Sequence, residues 1–179
     1  MPASDFKEIS AAQFFSITGG LIAGVILALL ENELLIVPGL LILIPGFLEM
    51  RGNIAGSMAA RLSSALHMGH IKPKVKNSPF LKENVLAAFT LVLIISLTLG
   101  LISFLATYIY FKVFYVKIIY IAVISAVISN LISIPSTVVV CFWIFRKGYD
   151  PDNIMGPYVT TTGDVISMLS LFLTIMVLI

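Results

Sequence analysis

The sequence predicts an all-α polytopic membrane protein of five transmembrane helices, the second of them broken. Three observations carry that prediction. Charged residues make up 11% of the 179-residue chain and hydrophobic ones 59%, where a soluble domain has about 25% charged. The apolar residues form continuous runs and do not alternate with period two, which argues against a transmembrane barrel. The length accommodates four to six helical spans at about 20 residues each and leaves no room for a separate soluble domain. Mean hydropathy, at +1.08, agrees.

Several classes are excluded at this level. Net charge is +2 and the basic residues gather in loops, so nucleic-acid binding has no footprint. Cys141, the only cysteine, lies in an apolar run, which excludes an intrachain disulfide and a cysteine-rich metal site. Asp5, Lys7 and Glu8 precede the first apolar run, a poor match to the net-positive start of a cleaved signal peptide. That run is expected to stay as a span.

The first span covers residues 11–30, after a short segment in which Phe6 and Ile9 suit a turn of amphipathic helix or a partly ordered tail. Gly20 and Gly24 make a small-xxx-small pair and are read as helix packing. Glu31, Asn32 and Glu33 then link to a second apolar region, 34–68, too long and too interrupted for one plain helix. Pro38-Gly39, Pro45-Gly46 and Gly52-Asn53 break it, and Glu49 and Arg51 add charge. Irregular backbone at membrane depth survives only where protein buries it or where it lines a wet cavity. Discontinuous helices of this kind recur at ion sites in transporters. Pro45, Glu49, Gly52 and Asn53 are therefore candidates for an ion pathway. The alternative is a Pro-kinked helix whose Glu49 and Arg51 pair or sit at the interface. Beyond the break, Ala55, Gly56, Ala59, Ala60, Ser63 and Ser64 give a packing surface, with Arg61 on it and His67 and His70 at the interface.

Residues 69–83 form a basic loop holding Lys72, Lys74, Lys76 and Lys82. The third span covers 84–110. Lys112 and Lys117 follow, with Tyr108, Tyr110, Tyr115 and Tyr120 as an aromatic belt. The fourth span, 114–145, has Pro135 as its expected kink and a polar stripe of Ser125, Ser129, Asn130, Ser133, Ser136 and Thr137. That stripe more often bonds neighbouring helices than lines a pathway, and Asn130 is its pathway candidate. Arg146 and Lys147 lead into the turn-rich Tyr149-Asp150-Pro151-Asp152-Asn153. The fifth span, 157–179, is expected to begin at Gly156-Pro157 with Pro157 in its first turn.

The basic loops set the orientation. With the N-terminus cytoplasmic, loops 69–83 and 146–156 share that side and carry most of the lysine and arginine, which leaves the C-terminus external.

The chemistry concentrates at Asp164. A carboxylate inside a span costs at least about 2.5–3.5 kcal/mol on insertion scales, so it must pair with something or coordinate something. No lysine or arginine lies near it on the same segment, which makes a cation the leading partner. A carboxylate bonded to hydroxyls or kept protonated is the alternative. From Pro157, Asp164 stands about 10 Å into the helix. Thr160 shares its helical face, Thr161 takes the other neighbouring spacing, and Gly163 leaves room for another chain or a hydrated ion. One carboxylate is too few for tight divalent binding, but a two-fold dimer with Asp164 near the axis would supply two. Mg²⁺ suits such a site because it keeps several waters and takes one or two carboxylates.

Two motifs then resemble a known family, the membrane domain of MgtE-type magnesium channels and the related solute-carrier family 41. The first is Tyr149-Asp150-Pro151 followed by Gly156-Pro157, Thr160-Thr161-Thr162 and Asp164. The second is Pro45-Gly46-Phe47-Leu48-Glu49-Met50-Arg51-Gly52-Asn53, continuing to Arg61-Leu62-Ser63, and it looks closest to the solute-carrier branch. The resemblance covers essentially the whole chain. It implies five helices per subunit in a single transmembrane domain, a homodimer or a pairing with a homologous half, and a pore holding hydrated Mg²⁺. It also implies Asp164 as the principal ion ligand, with the Thr160 carbonyl nearby. Against the bacterial pattern of Gly-Gly-Asn, Arg51 replaces the first glycine, Ala55 looks inserted, and Met58 stands where a glutamine would be. The cytoplasmic sensor domains of the bacterial proteins, paired CBS modules included, have no counterpart in this half-size form, and Asp150, Asp152 and Glu83 are candidates for a small regulatory ion site.

Divalent-cation transport across the cell membrane, Mg²⁺ first, is the leading functional reading. A proton-coupled secondary transporter using Asp164, and a non-conducting half subunit of a heteromeric transporter, are the alternatives. No spaced His/Glu metal motif, activated serine or pair of acids on one helix argues for an enzyme.

Overall fold

A computed structural model describes residues 3–29, 31–74 and 78–179; side-chain placement is described from residue 5 and omits Asn32 and Glu33. Lys76 falls outside the described residues. Six helices follow in order: α1 (Ala3–Leu29), α2 (Glu31–Ile36), α3 (Leu40–His67), α4 (Pro79–Phe111), α5 (Lys117–Arg146) and α6 (Pro151–Leu178). Four of them are long and apolar enough to cross a membrane: Asp5–Leu29 within α1, then α4, α5 and α6. The chain is a multi-pass, all-helical membrane protein. With 28 residues α3 is also long enough to cross, but it is more polar and carries Glu49, Arg51 and Arg61.

Of the three proline and glycine pairs expected to break the second apolar region, only Pro38-Gly39 does so. It falls between α2 and α3, where Gly39 adopts φ 84° and acts as N-cap, with Leu43 N–H donating to its carbonyl at 3.0 Å. From Leu40 onward α3 runs as one helix through Pro45-Gly46 and Gly52-Asn53. The physical reason is its buried stripe. Leu40, Leu43, Phe47, Met50, Ile54, Met58 and Leu62 recur at three- and four-residue spacing and are all buried. That continuous apolar face outweighs the local cost of one proline and two glycines. The wet cavity expected from a discontinuity at Pro45 or Gly52 is not formed by freed backbone there.

The start of α6 also shifts. Asp150 caps it by accepting from Asp152 N–H at 2.9 Å, and Pro151 takes the first helical position. Pro157 is therefore inside the helix, where its ring removes one N–H. Asp164 consequently stands more than three turns in from Pro151, about 20 Å at 1.5 Å per residue and deeper than expected. At the N-terminus, α1 extends back to Ala3, so Phe6 and Ile9 belong to the same helix as the first span.

Packing makes α6 the central element, in contact with α1, α3 and α5, while α4 lies against α3 and α5. The α4 surface that touches its neighbours is a narrow row, Ala88, Val92, Ser96, Gly100, Ser103 and Thr107, and most of its remaining apolar surface faces outward. At Gly100 a side chain would meet the Ile119 Cα at 3.0 Å, so this glycine sets how closely α4 and α5 approach. Of the α1 glycines it is Gly19 that packs, against the Thr161 side chain, while Gly20 and Gly24 face open space. The α5 stripe is buried at Ser125, Ser129, Asn130, Ser133 and Thr137 and faces the bundle interior.

The helix ends fall into two groups. Asn153 Nδ2 donates to Glu8 Oε2 at 3.4 Å and His67 Nε2 lies 3.1 Å from Asp150 Oδ1, which gathers the starts of α1 and α6 with the end of α3. At the other end Lys117 Nζ donates to the Leu178 carbonyl at 2.7 Å. The turn at Gly39 is a place where sequence and packing both demand glycine, because a Cβ there would also overlap Thr107 Oγ1. Gly39→Ala is expected to lower stability by about 1–3 kcal/mol, the cost of a left-handed non-glycine residue. Thermal melting in detergent checks this, and an unchanged midpoint would refute it.

Candidate cation site on α6

The side chain of Asp164 has a counter-charge, and it comes from α3. Arg51 Nη2 donates to Asp164 Oδ1 at 2.9 Å and to the Thr160 carbonyl at 3.2 Å, while Arg51 Nη1 donates to the Val159 carbonyl at 2.9 Å. Absence of lysine and arginine from the last segment therefore did not leave the carboxylate without a partner. A residue more than a hundred positions earlier in the chain supplies it. The pair is uneven in exposure: the Arg51 side chain is 1% exposed and that of Asp164 33%.

Local sequence explains why the guanidinium fits. Arg51 lies on the buried side of α3, between Met50 and Ile54 in the stripe that faces the bundle. A side chain at Gly163 would overlap Arg51 Nη1 and Cζ, so the missing Cβ is the niche that the guanidinium occupies. The room beside Asp164 that the sequence assigned to an ion or another chain is filled by Arg51. Its planar fork of donors matches one carboxylate and two carbonyls on successive turns of a helix, a set that a lysine could not satisfy as fully. Arg51 Nε remains buried without a protein partner.

The other candidate residues divide among separate places. Thr160 shares the accessible face of α6 with Asp164, and its hydroxyl donates back to the Gly156 and Pro157 carbonyls at 3.2 and 3.1 Å. Its carbonyl is the group turned to use by Arg51. Thr161 is buried against Gly19 of α1, away from that face. Glu49 and Asn53 bond each other at 3.0 Å and are exposed on α3, two residues to either side of Arg51 and so on roughly the opposite side of the helix. They line a groove with Leu91, Ile95 and Leu99 of α4 and do not join Asp164 within one chain. Pro45 is exposed, and Gly52 has open space where a side chain would project. Asn130 is buried in α5, donating to the Ala126 carbonyl at 2.8 Å.

What remains on the α6 surface is a row at four-residue spacing: Asp152, Gly156, Thr160 and Asp164, exposed except for the last, which is partly so. It leads from the helix start, beside the end of α3, to the ion pair. At its outer end Asp150 and Asp152 come together with His67, their ligand atoms within 4.8 Å of one another. Glu83, suggested with the two aspartates, is not part of that group. Asp150 Oδ1 already serves as the helix cap and the His67 contact, so the cluster ties α3 to α6.

Comparison with protein families matches residues 44–174 to MgtE, described as divalent cation transporter. The chain belongs to the MgtE family. The matched region begins inside α3 and ends inside α6, and it contains both Arg51 and Asp164. MgtE is a transporter family, not an enzyme family, and divalent cations are its cargo. No curated protein and no solved structure matches the chain.

The uneven burial has a measurable consequence for this MgtE chain. Removing one partner of a buried ion pair costs about 3–5 kcal/mol, because the other charge is left uncompensated. Asp164→Ala strands a guanidinium shut off from water, whereas Arg51→Met strands a carboxylate with access to it. Asp164→Ala is therefore expected to melt at the lower temperature of the two in detergent, with the double variant Arg51→Met/Asp164→Leu recovering much of the loss. The reverse order would show that Arg51 does not depend on Asp164 for its burial.

Proposed function

We propose that this chain transports Mg²⁺ across the cell membrane as a two-fold dimer, with the ion held by Asp164 from both copies and by the Thr160 carbonyls through its water shell. The observation that carries the reading is the accessible row of α6 ending in a part-exposed carboxylate at membrane depth. It lies within the region matched to a divalent cation transporter family. Small or polar side chains at Gly156 and Thr160 leave the row open to a hydrated ion. Two carboxylates suit a cation that sheds its water reluctantly, and water-mediated coordination allows release.

A dimer is supported by what α3 turns outward. Glu49 and Asn53 are polar, exposed and near the middle of a helix packed against three membrane-crossing neighbours, α4, α5 and α6. Such groups in contact with lipid are costly, so a second copy or a shared aqueous path has to cover them. In this reading α3 is the fifth span and residues 1–179 form a single transmembrane domain. The N-terminus is cytoplasmic, because the end of the bundle that gathers the start of α1 also carries Arg146 and Lys147 and the loop with Lys72 and Lys74. The C-terminus is then external.

In liposomes containing the purified protein, Asp164→Asn is expected to reduce Mg²⁺ uptake at least about tenfold, the loss that follows removal of about 1.4 kcal/mol or more of ion stabilisation. Uptake equal to wild type in a folded Asp164→Asn protein would remove the site assignment. For the dimer, Asn53→Cys in a Cys141→Ser background is expected to cross-link between copies in membranes with a short bis-thiol reagent. A protein that stays monomeric in that assay and in detergent would exclude the two-fold pore.

A further inference from the structure

We propose that Arg51 is a built-in competitor of the transported cation: its guanidinium occupies the oxygens of α6 and neutralises Asp164, which weakens the site enough for the ion to leave. The inference rests on the reading that Asp164 binds that ion. The groups that Arg51 engages are the Val159 and Thr160 carbonyls and Asp164 Oδ1, at 2.9, 3.2 and 2.9 Å. Carbonyl and carboxylate oxygens that accept from a guanidinium are the same acceptors that the water shell of Mg²⁺ would donate to. Each lone pair committed to Arg51 is unavailable to the ion's waters.

Charge points the same way. With Arg51 in place, each chain contributes one positive and one negative group to the site, so two copies offer a divalent ion no net attraction. Without it, two copies of Asp164 would balance the ion completely. A positive charge in direct contact with the ligand carboxylate repels a cation strongly where water is scarce. The arrangement is also closed on one side: Arg51 is 1% exposed and sits in the niche left by Gly163, while Asp164 opens to the accessible row on α6. An ion therefore arrives on the open side of the carboxylate with the competitor already seated behind it.

The experiment compares Mg²⁺ concentration dependence of uptake in liposomes for wild type, Arg51→Gln, Arg51→Lys, Gly163→Ala and Asp164→Asn, with melting curves for each. Arg51→Gln is expected to lower the half-saturating Mg²⁺ concentration by roughly tenfold or more and to lower maximal uptake, because a tighter site releases its ion more slowly. Arg51→Lys, which keeps the charge, should shift it less. Gly163→Ala leaves both charges in the chain but forces the guanidinium from its niche, so it should shift half-saturation in the same direction and add nothing in the Arg51→Gln background.

Half-saturation unchanged or raised in a folded Arg51→Gln protein would overturn the proposal. If Arg51→Gln does not fold, an unchanged half-saturation in Gly163→Ala overturns it equally. A purely structural Arg51 would lower the melting point and the amount of active protein without moving half-saturation. Normal uptake by Asp164→Asn would instead defeat the underlying site reading, and loss of uptake there with no shift in Arg51→Gln would defeat this inference alone.

Discussion

A single buried guanidinium constrains this bundle more than any other group. Arg51 is shut off from water and has an ionic partner only on another helix, so α3 must lie against α6 at the level of Val159 to Asp164. An unpaired charge there would cost about 3–5 kcal/mol. The pair therefore fixes the register between the two helices. The two helices run antiparallel, and a second polar contact between them, His67 with Asp150, lies about 24 Å further along α3 at 1.5 Å per residue, at the cytoplasmic end of the proposed topology. Two polar ties at different depths leave no freedom for one helix to slide past the other.

Other features follow from that register. Gly163 is the complement of the guanidinium, since any side chain there would fill its place. The unbroken course of α3 matters for the same reason, because Arg51 reaches α6 only if the buried stripe from Leu40 to Leu66 stays in phase. That phase sends Glu49 and Asn53 to the other side, where the facing residues of α4 in their groove, Leu91, Ile95 and Leu99, are apolar. The helix thus has two polar faces, one satisfied by α6 and one that the proposed dimer would cover.

In the function proposed for this MgtE chain, the tasks of the ion site are distributed unevenly. There the carboxylate on α6 would supply the attraction, and an accessible row of small and polar residues would give access to it. The ion pair with Arg51 compensates the Asp164 charge within one chain, and in the proposed site it would keep the resting state close to neutral. An ion site that were only attractive would hold its cargo; one with a resident positive neighbour has a means of letting it go.

Much of the architecture was legible in the sequence. Low charge content and continuous apolar runs determine a helical membrane protein because no other structure satisfies its backbone in lipid. The same logic singles out Asp164, since a charge in such a run stands out in one dimension. The motifs around Pro45–Asn53 and Gly156–Asp164 likewise point to the family without coordinates. Other features could not be read along the chain. Whether proline and glycine break a helix depends on how strongly its buried face is held, and for α3 that face outweighed them. Whether Pro157 starts α6 or lies within it depended on the competing cap at Asp150-Pro151, which was visible but assigned to the preceding turn. The partner of Asp164 was decided by tertiary structure alone. Its charge lies on a distant helix, and only the packing of α3 on α6 brings the two within 2.9 Å. A departure from the bacterial pattern at Arg51 was the one sign of it in the sequence. Composition determines that a membrane carboxylate must be compensated; three-dimensional proximity decides by what.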